Sequence, residues 1–284
     1  MLLFATLISG SFSLGGETAP HIDPGALTAI RFAIAVAAMG TVLVVLRRGE
    51  RVLVAAPWRF LILGGLLGLY FVLMFEALRL TDPISLGAVF TMTPLMVAIF
   101  GRVILGQRAS PLVVTSLLLA AAGAVWVIFR ADLDALLAFD LGLGELIFLL
   151  GCAAHALYIP MVRLFNRGES GQVFTFWTLL GGLIVTGTYA APTLLVTDWP
   201  SLPPIVWITV SYLAVFASAG TFFLMRFAAL RLPAAKVMAY GYLIPSLVIV
   251  LEGLAGHGWV AVPVLVGVAA TVLALIILIF AQDA

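Results

Sequence analysis

Apolar residues run along this chain in blocks of roughly 20, separated by short clusters of charged residues, prolines and glycines. As a helix, a block of that length crosses a hydrocarbon core about 30 Å thick. The pattern predicts ten spans, over residues 2–19, 24–46, 57–79, 83–101, 110–130, 141–165, 171–191, 204–230, 233–255 and 260–281. The connections are too short to hold a soluble domain. The weakest break is Arg231-Leu232-Pro233, between the eighth block and the ninth.

The blocks repeat. Phe75-Glu76-Ala77-Leu78-Arg79-Leu80 ends the third, and Phe227-Ala228-Ala229-Leu230-Arg231-Leu232 ends the eighth, so both copies read F-x-A-L-R-L. A proline opens the block after each copy (Pro83, Pro233), and another lies inside it (Pro94, Pro245). Five blocks per half is an odd number, so the second half enters the membrane from the opposite face. The prediction is an all-α integral membrane protein, ten transmembrane helices in two inverted five-helix repeats. The repeats are residues 1–134 and 135–284, within one transmembrane domain. Such repeats place a substrate site near the midplane between the halves and allow alternating access. Pro94 and Pro245 each remove a backbone hydrogen bond in mid-span, so kinks are expected there and are candidate hinges.

Composition agrees with the pattern. Of 284 residues, 64% are hydrophobic and 10% are charged, and the mean hydropathy is +1.24. Soluble domains are far more polar. The formal net charge of +1 offers no bulk attraction to nucleic acid. A single cysteine, Cys152, excludes an internal disulfide, and no Cys/His spacing resembles a metal site. No P-loop is present, so neither direct ATP drive nor an ATPase subunit is implied, and no cofactor is expected. The first block lacks a basic leader and a small-residue cleavage site, which reads as a retained helix.

Lys and Arg orient the spans. Arg47, Arg48, Arg51, Arg59, Arg108, Arg163, Arg167, Arg231 and Lys236 fall on one set of alternate connections. Asp23, Asp82, Asp132, Asp134, Asp140 and Asp198 fall on the other, with Arg79 and Arg130. Both termini are therefore expected in the cytoplasm of a multi-pass plasma-membrane protein, such as one of the bacterial inner membrane.

In order along the chain, several motifs resemble the EamA-type permeases of the drug/metabolite transporter superfamily. Ser9-Gly10-Ser11-Phe12 resembles that family's first-helix signature, and Pro24 with Arg31-Phe32 its second-helix signature. Ala156-Leu157-Tyr158 with Arg163 is similar to the opening of its second repeat. Pro94 and Pro245, each followed by an apolar run to Gly106 and to Gly256-His257-Gly258, resemble its fourth and ninth helices. Gln107 departs from the family's usual Glu. The resemblance covers nearly the whole chain. It implies export of amino acids or related metabolites, with the aromatic amino acid exporters as one branch to consider. It also implies a cavity walled by helices three, four, six, eight and nine.

Ionisable groups inside spans are costly and so are the first candidates for function. Glu17 lies about 22 Å along the first helix, and Arg31 about 10 Å into the second from the other end. The matched depths predict an ion pair near the outer mouth, serving as a clamp or as a gate. Arg31 could alternatively anchor a substrate carboxylate. His155 falls near the middle of the sixth block, with Tyr158 three residues on. Ser9, Ser11, Tyr70, Phe90, Thr91, Met92, Trp177, Tyr212, Phe216, Ser218, Tyr240 and Tyr242 also gather toward the midplane. The candidate substrate-binding set is Ser9, Ser11, Tyr70, Phe90, Thr91, Met92, His155, Tyr158, Phe216, Ser218 and Tyr240. Glu17, Arg31, Pro94 and Pro245 form the structural or gating set. Trp58, Trp199, Trp207 and Trp259 read as interface anchors, and Gly64 with Gly68 as a close helix contact.

These residues point to a secondary transporter, not an enzyme, that exports small neutral or zwitterionic metabolites, amino acids first. Multidrug or lipophilic-cation export is the alternative. An intramembrane enzyme, a scramblase or a structural protein is the competing class. No paired acids, His cluster or Ser–Lys pair supports the enzyme reading.

Overall fold

The computed structural model describes residues 1–46, 53–107, 110–138, 141–232, 237 and 240–280. Arg47, Arg48, Arg51, Arg108, Asp140, Pro233 and Lys236, used above for orientation and for the repeat, lie outside these residues. Among the described residues every regular element is helical. The helices are α1 (Leu2–Thr18), α2 (Pro24–Leu46), α3 (Trp58–Leu78), α4 (Pro83–Phe90), α5 (Thr93–Leu105), α6 (Pro111–Ile128) and α7 (Leu133–Ala138). They continue with α8 (Leu143–Phe165), α9 (Gly171–Tyr189), α10 (Ala191–Val196), α11 (Pro204–Ala214), α12 (Thr221–Ala229), α13 (Ile244–Ala255) and α14 (Val264–Phe280). A π turn, Val215–Gly220, joins α11 to α12, and a 3-10 turn, Tyr240–Leu243, leads into α13. Among the described residues six helical stretches are long and apolar enough to cross a membrane, and Tyr240–Ala255 and Val264–Phe280 are shorter apolar helices.

Several helices begin on a hydrogen-bonding cap followed by proline. Asp82 accepts from the Ser85 amide at 2.9 Å with Pro83 at the first position, and Ser110 accepts from Val113 at 3.4 Å with Pro111 next. The cap satisfies a free N–H, and proline has none to leave unpaired. Pro94 and Pro245 act more strongly than the expected kink. Each stands at the second position of a new helix, after a break at Thr91-Met92 in one case and after the 3-10 turn in the other. The pyrrolidine ring collides with the carbonyl four residues back, and the α ladder is interrupted there.

The most extensive contacts join α6 to α14, α3 to α8 and α9, and α2 to α9. The expected close contact at Gly64 is present: a Cβ there would lie 2.0 Å from the Gly182 amide nitrogen. Gly181 faces the Phe60 carbonyl oxygen just as closely. Gly68 meets the Thr186 side chain on the same seam. Outward faces carry exposed apolar side chains such as Leu69, Leu118, Leu150 and Ile276, as lipid contact requires.

The bundle has two chemically distinct ends. Glu17, Asp23, Asp82, Asp132 and Glu252 lie toward one end, and Arg59, Arg163, Arg167, Arg226 and Arg231 toward the other. The two F-x-A-L-R-L phrases close helices at opposite ends. Thr81, just after the first copy, donates to Glu145 at the start of α8 (2.6 Å). Leu232, which closes the second copy, accepts from Arg163 near the end of α8. Glu145 and Arg163 are about 27 Å apart along that helix.

Candidate functional site

The interior between these ends is aromatic and holds a buried cation. Arg31, two turns into α2, is fully buried. Its Nε and Nη2 donate to Ser218 Oγ at 3.1 and 2.7 Å, and Nη2 reaches the Leu213 and Ala217 carbonyls at 3.5 and 3.4 Å. These acceptors lie in and just before the π turn, where the ladder is displaced by a residue and carbonyls become available to outside donors. The guanidinium also lies over the Phe71 ring, 3.6 Å from its centroid. Arg31 Nη1 has no acceptor among the described residues.

Around this cation stand groups from four helices. Tyr70 of α3 stacks on His155 of α8, with centroids 4.5 Å apart and planes at 20°. Phe90 of α4 lies 5.4 Å from the imidazole. Phe71 stacks on Phe222 of α12 at 6.1 Å, and Phe222 in turn neighbours Tyr158 at 6.4 Å. The Tyr70 hydroxyl and His155 Nδ1 also lack partners among the described residues. A buried orphan polar atom costs about 1–3 kcal/mol. Three such atoms, on α2, α3 and α8, are gathered around this cluster.

Of the expected site residues, Arg31, Tyr70, Phe90, His155, Tyr158 and Ser218 are thus brought together. Ser9 and Ser11 are buried, but their hydroxyls donate back into α1, to the Ala5 and Leu7 carbonyls at 2.8 and 3.1 Å. Thr91 does the same to Ala88 at 2.7 Å, and Met92 lies half-buried at the helix break. Phe216 is 52% exposed and packs on Tyr212, because the π turn directs it outward. Tyr240 belongs to a separate cluster with Val113, Tyr242 and Ala274.

The expected Glu17–Arg31 pair is corrected by the structure. Equal depth along two helices fixes height, but not the direction in which each side chain leaves its axis. Arg31 points into the bundle, while Glu17 is half-exposed and meets His257 Nε2 at 3.1 Å. Nδ1 of the same imidazole bonds Glu252 Oε2 at 2.8 Å. The hydrogen bond to Glu252 and that residue's charge raise the His257 pKa above the ordinary histidine value, with Glu17 adding to the shift. At the basic end Arg59 binds Glu169 and the Phe165 carbonyl, and Arg226 reaches the Glu169 carbonyl and Asn166. Burial alone would raise the Glu169 pKa. The hydrogen bonds from Arg59 and from nearby backbone amides outweigh it and hold the carboxylate below its ordinary value.

Sequence reasoning did not single out Phe71, Phe222 or the Glu17–His257–Glu252 bridge. Phe71 and Phe222 are two of 19 phenylalanines, so composition gives no reason to prefer them. His257 stands out in the sequence only as part of Gly256-His257-Gly258.

The model of the EamA-like transporter family matches this chain twice, over residues 1–129 and 142–280. The chain belongs to the EamA-like transporter family. A Bacillus subtilis (strain 168) protein named uncharacterized transporter YyaM is 23% identical over 257 residues, covering 89% of this chain and 83% of its own. A protein of known crystal structure aligns over 97% of this chain and 94% of its own length, with a TM-score of 0.72 and 24% identity, and speaks for the fold. As an EamA-like protein this chain is a multi-pass membrane transporter of the drug/metabolite type, acting on small molecules within a lipid bilayer and not an enzyme.

Proposed function

We propose that this EamA-like transporter exports zwitterionic or neutral metabolites, amino acids with apolar or aromatic side chains first. One observation carries the reading: a fully buried guanidinium with a nitrogen unpaired among the described residues, beside an unpaired phenol and imidazole. A carboxylate supplies the acceptors these donors lack, in the charge-assisted form that suits Arg. Phe71, Phe90, Tyr158 and Phe222 form an apolar wall for the rest of the molecule. Phosphorylated cargo would need more than one free cation at this depth; Arg31 lies over Phe71 in this cluster, while the next cation, Arg226, is drawn to Asn166 and the Glu169 carbonyl at the basic end. A lipophilic cation would face a like charge.

In this reading the chain is ten spans in two inverted repeats, residues 1–134 and 135–284, that rock about the centre. The family model's two separate matches support it. So does the pairing of helices: α2 with α9 and α6 with α14 are self-matched under exchange of the halves. The contacts of α3 with α8 and α9 likewise have counterparts in those of α11 and α12 with α1 and of α11 and the π turn with α2. The acidic end faces outward and both termini lie in the cytoplasm of a bacterial inner membrane. Single cysteines at Arg79 and Arg231 should react with an impermeant thiol reagent from opposite sides; reaction of both from one side would remove the inverted arrangement.

The substrate class is tested in sealed proteoliposomes with phenylalanine, a nucleoside and a sugar phosphate as alternative cargoes. Phenylalanine should move, and His155→Ala and Tyr158→Ala should each slow it while the protein remains monodisperse. Wild-type rates in both variants would take these residues out of the site. Robust sugar-phosphate exchange would overturn the substrate assignment.

A further inference from the structure

A second polar cluster lies at the acidic end, away from the buried centre. A pocket of ≈ 320 Å³ opens between α4, α6, α13 and the segment leading into α14. Its walls are apolar at Val127, Val260 and Val264, and its charged groups are Asp82, Arg130, Glu252 and His257. Asp82 has a donor on each oxygen, since one caps α4 through the Ser85 amide and the other accepts from Arg130 at 2.8 Å. Glu252 is not. Its Oε2 holds His257, but its Oε1 has no donor among the described residues, although the side chain is only 8% exposed.

Local backbone geometry fixes this carboxylate in place. Gly256 adopts φ +91°, which lets the chain turn back so that the His257 amide donates to the Glu252 carbonyl at 3.1 Å. The imidazole is thereby held over the carboxylate. Asp82 and Arg130 neutralise each other, and His257 is shared between Glu252 in the pocket and Glu17 just outside its lining, so the cluster keeps one net negative charge even with His257 protonated.

We propose that this pocket is a binding subsite for a small organic ammonium ion with an apolar tail, whose charged group is received by Glu252. The carboxylate can only accept, so its partner must donate. The net charge selects a cationic donor over a neutral one. A divalent metal is a poor fit, because one free oxygen cannot replace the six or more that a hard cation requires. The valine walls take the tail, and the volume is at the small-molecule end of ligand pockets.

The subsite goes beyond the transport reading and does not depend on Arg31, since the ligand needs no carboxylate. The test is equilibrium binding of phenethylamine and of 2-phenylethanol to the full-length protein in nanodiscs. The amine should bind about tenfold or more tightly, the difference expected of one charge-assisted hydrogen bond. Glu252→Gln should abolish that preference. Equal affinities for amine and alcohol in the wild-type protein would overturn the proposal, and so would a preference that survives in Glu252→Gln. The wild-type comparison decides the matter even if the variant does not fold. Failure of phenylalanine to move in vesicles would instead strike the central-site reading and leave this result untouched.

Discussion

Alanine at Gly64 is expected to destabilise the protein by about 3 kcal/mol or more, while alanine at Gly65 should be neutral or slightly stabilising. At Gly64 the added carbon would lie 2.0 Å from the Gly182 nitrogen and 2.5 Å from both the Gly181 carbonyl carbon and the Thr178 oxygen. All three are backbone atoms of a helix, which cannot rotate away as a side chain could. The α3–α9 seam would have to open along its length, and in a membrane close packing of this kind is a principal source of helix association. One residue on, the same carbon would meet only Val185 methyl groups at 3.7 and 3.8 Å, an ordinary contact. Alanine also gains helix propensity over glycine. Thermal unfolding and monodispersity in detergent would separate the two variants. Similar melting temperatures for Gly64→Ala and Gly65→Ala would show that the seam is not a tight backbone contact.

Much of the architecture is written in the order of apolar blocks, because hydrocarbon requires a continuous hydrogen-bonded helix wherever it is crossed. Proline, glycine and charge therefore mark the ends: the blocks at 24–46 and 141–165 coincide closely with α2 and α8. Pro94 and Pro245 announced equivalent irregularities in both halves, and the structure turns them into full helix breaks. Direction around a helix axis was much less legible. Apolar residues surround most of these helices, so there is no polar face from which to read the inward side. That is why Arg31 and Glu17 could be matched in depth and still point to different partners. Phe216 was misplaced for a related reason. A π turn changes the residue-to-residue angle locally, and nothing in Val215–Gly220 announces one. His155 and Tyr70 could be singled out because a buried polar side chain is rare enough to be noticed individually, whereas Phe71 and Phe222 could not.

Arg31→Met is expected to leave the protein as stable as wild type or more so, while reducing phenylalanine flux about a hundredfold, the equivalent of roughly 3 kcal/mol. The two effects have one cause. A guanidinium taken out of water with no carboxylate beside it carries a desolvation penalty of several kcal/mol. Ser218, two carbonyls and the Phe71 ring offset only part of that penalty. A residue kept solely for folding would be improved by an apolar replacement of similar length, since buried ionic groups are often matched or bettered by well-packed hydrophobic ones. The charge makes sense if its missing partner arrives with the cargo. Met fills a similar volume beside Phe71 and Phe32, and Ser218 can turn its hydroxyl to a carbonyl of its own helix. Phenylalanine would then enter a site that desolvates its carboxylate and returns no charge-assisted bond, whereas a carboxylate-free analogue would lose nothing. Discrimination between phenylalanine and its amide is the readout that a merely structural Arg31 would not move. If Arg31→Met melts well below wild type, or transports phenylalanine at the wild-type rate, the guanidinium serves the fold and the carboxylate assignment is wrong.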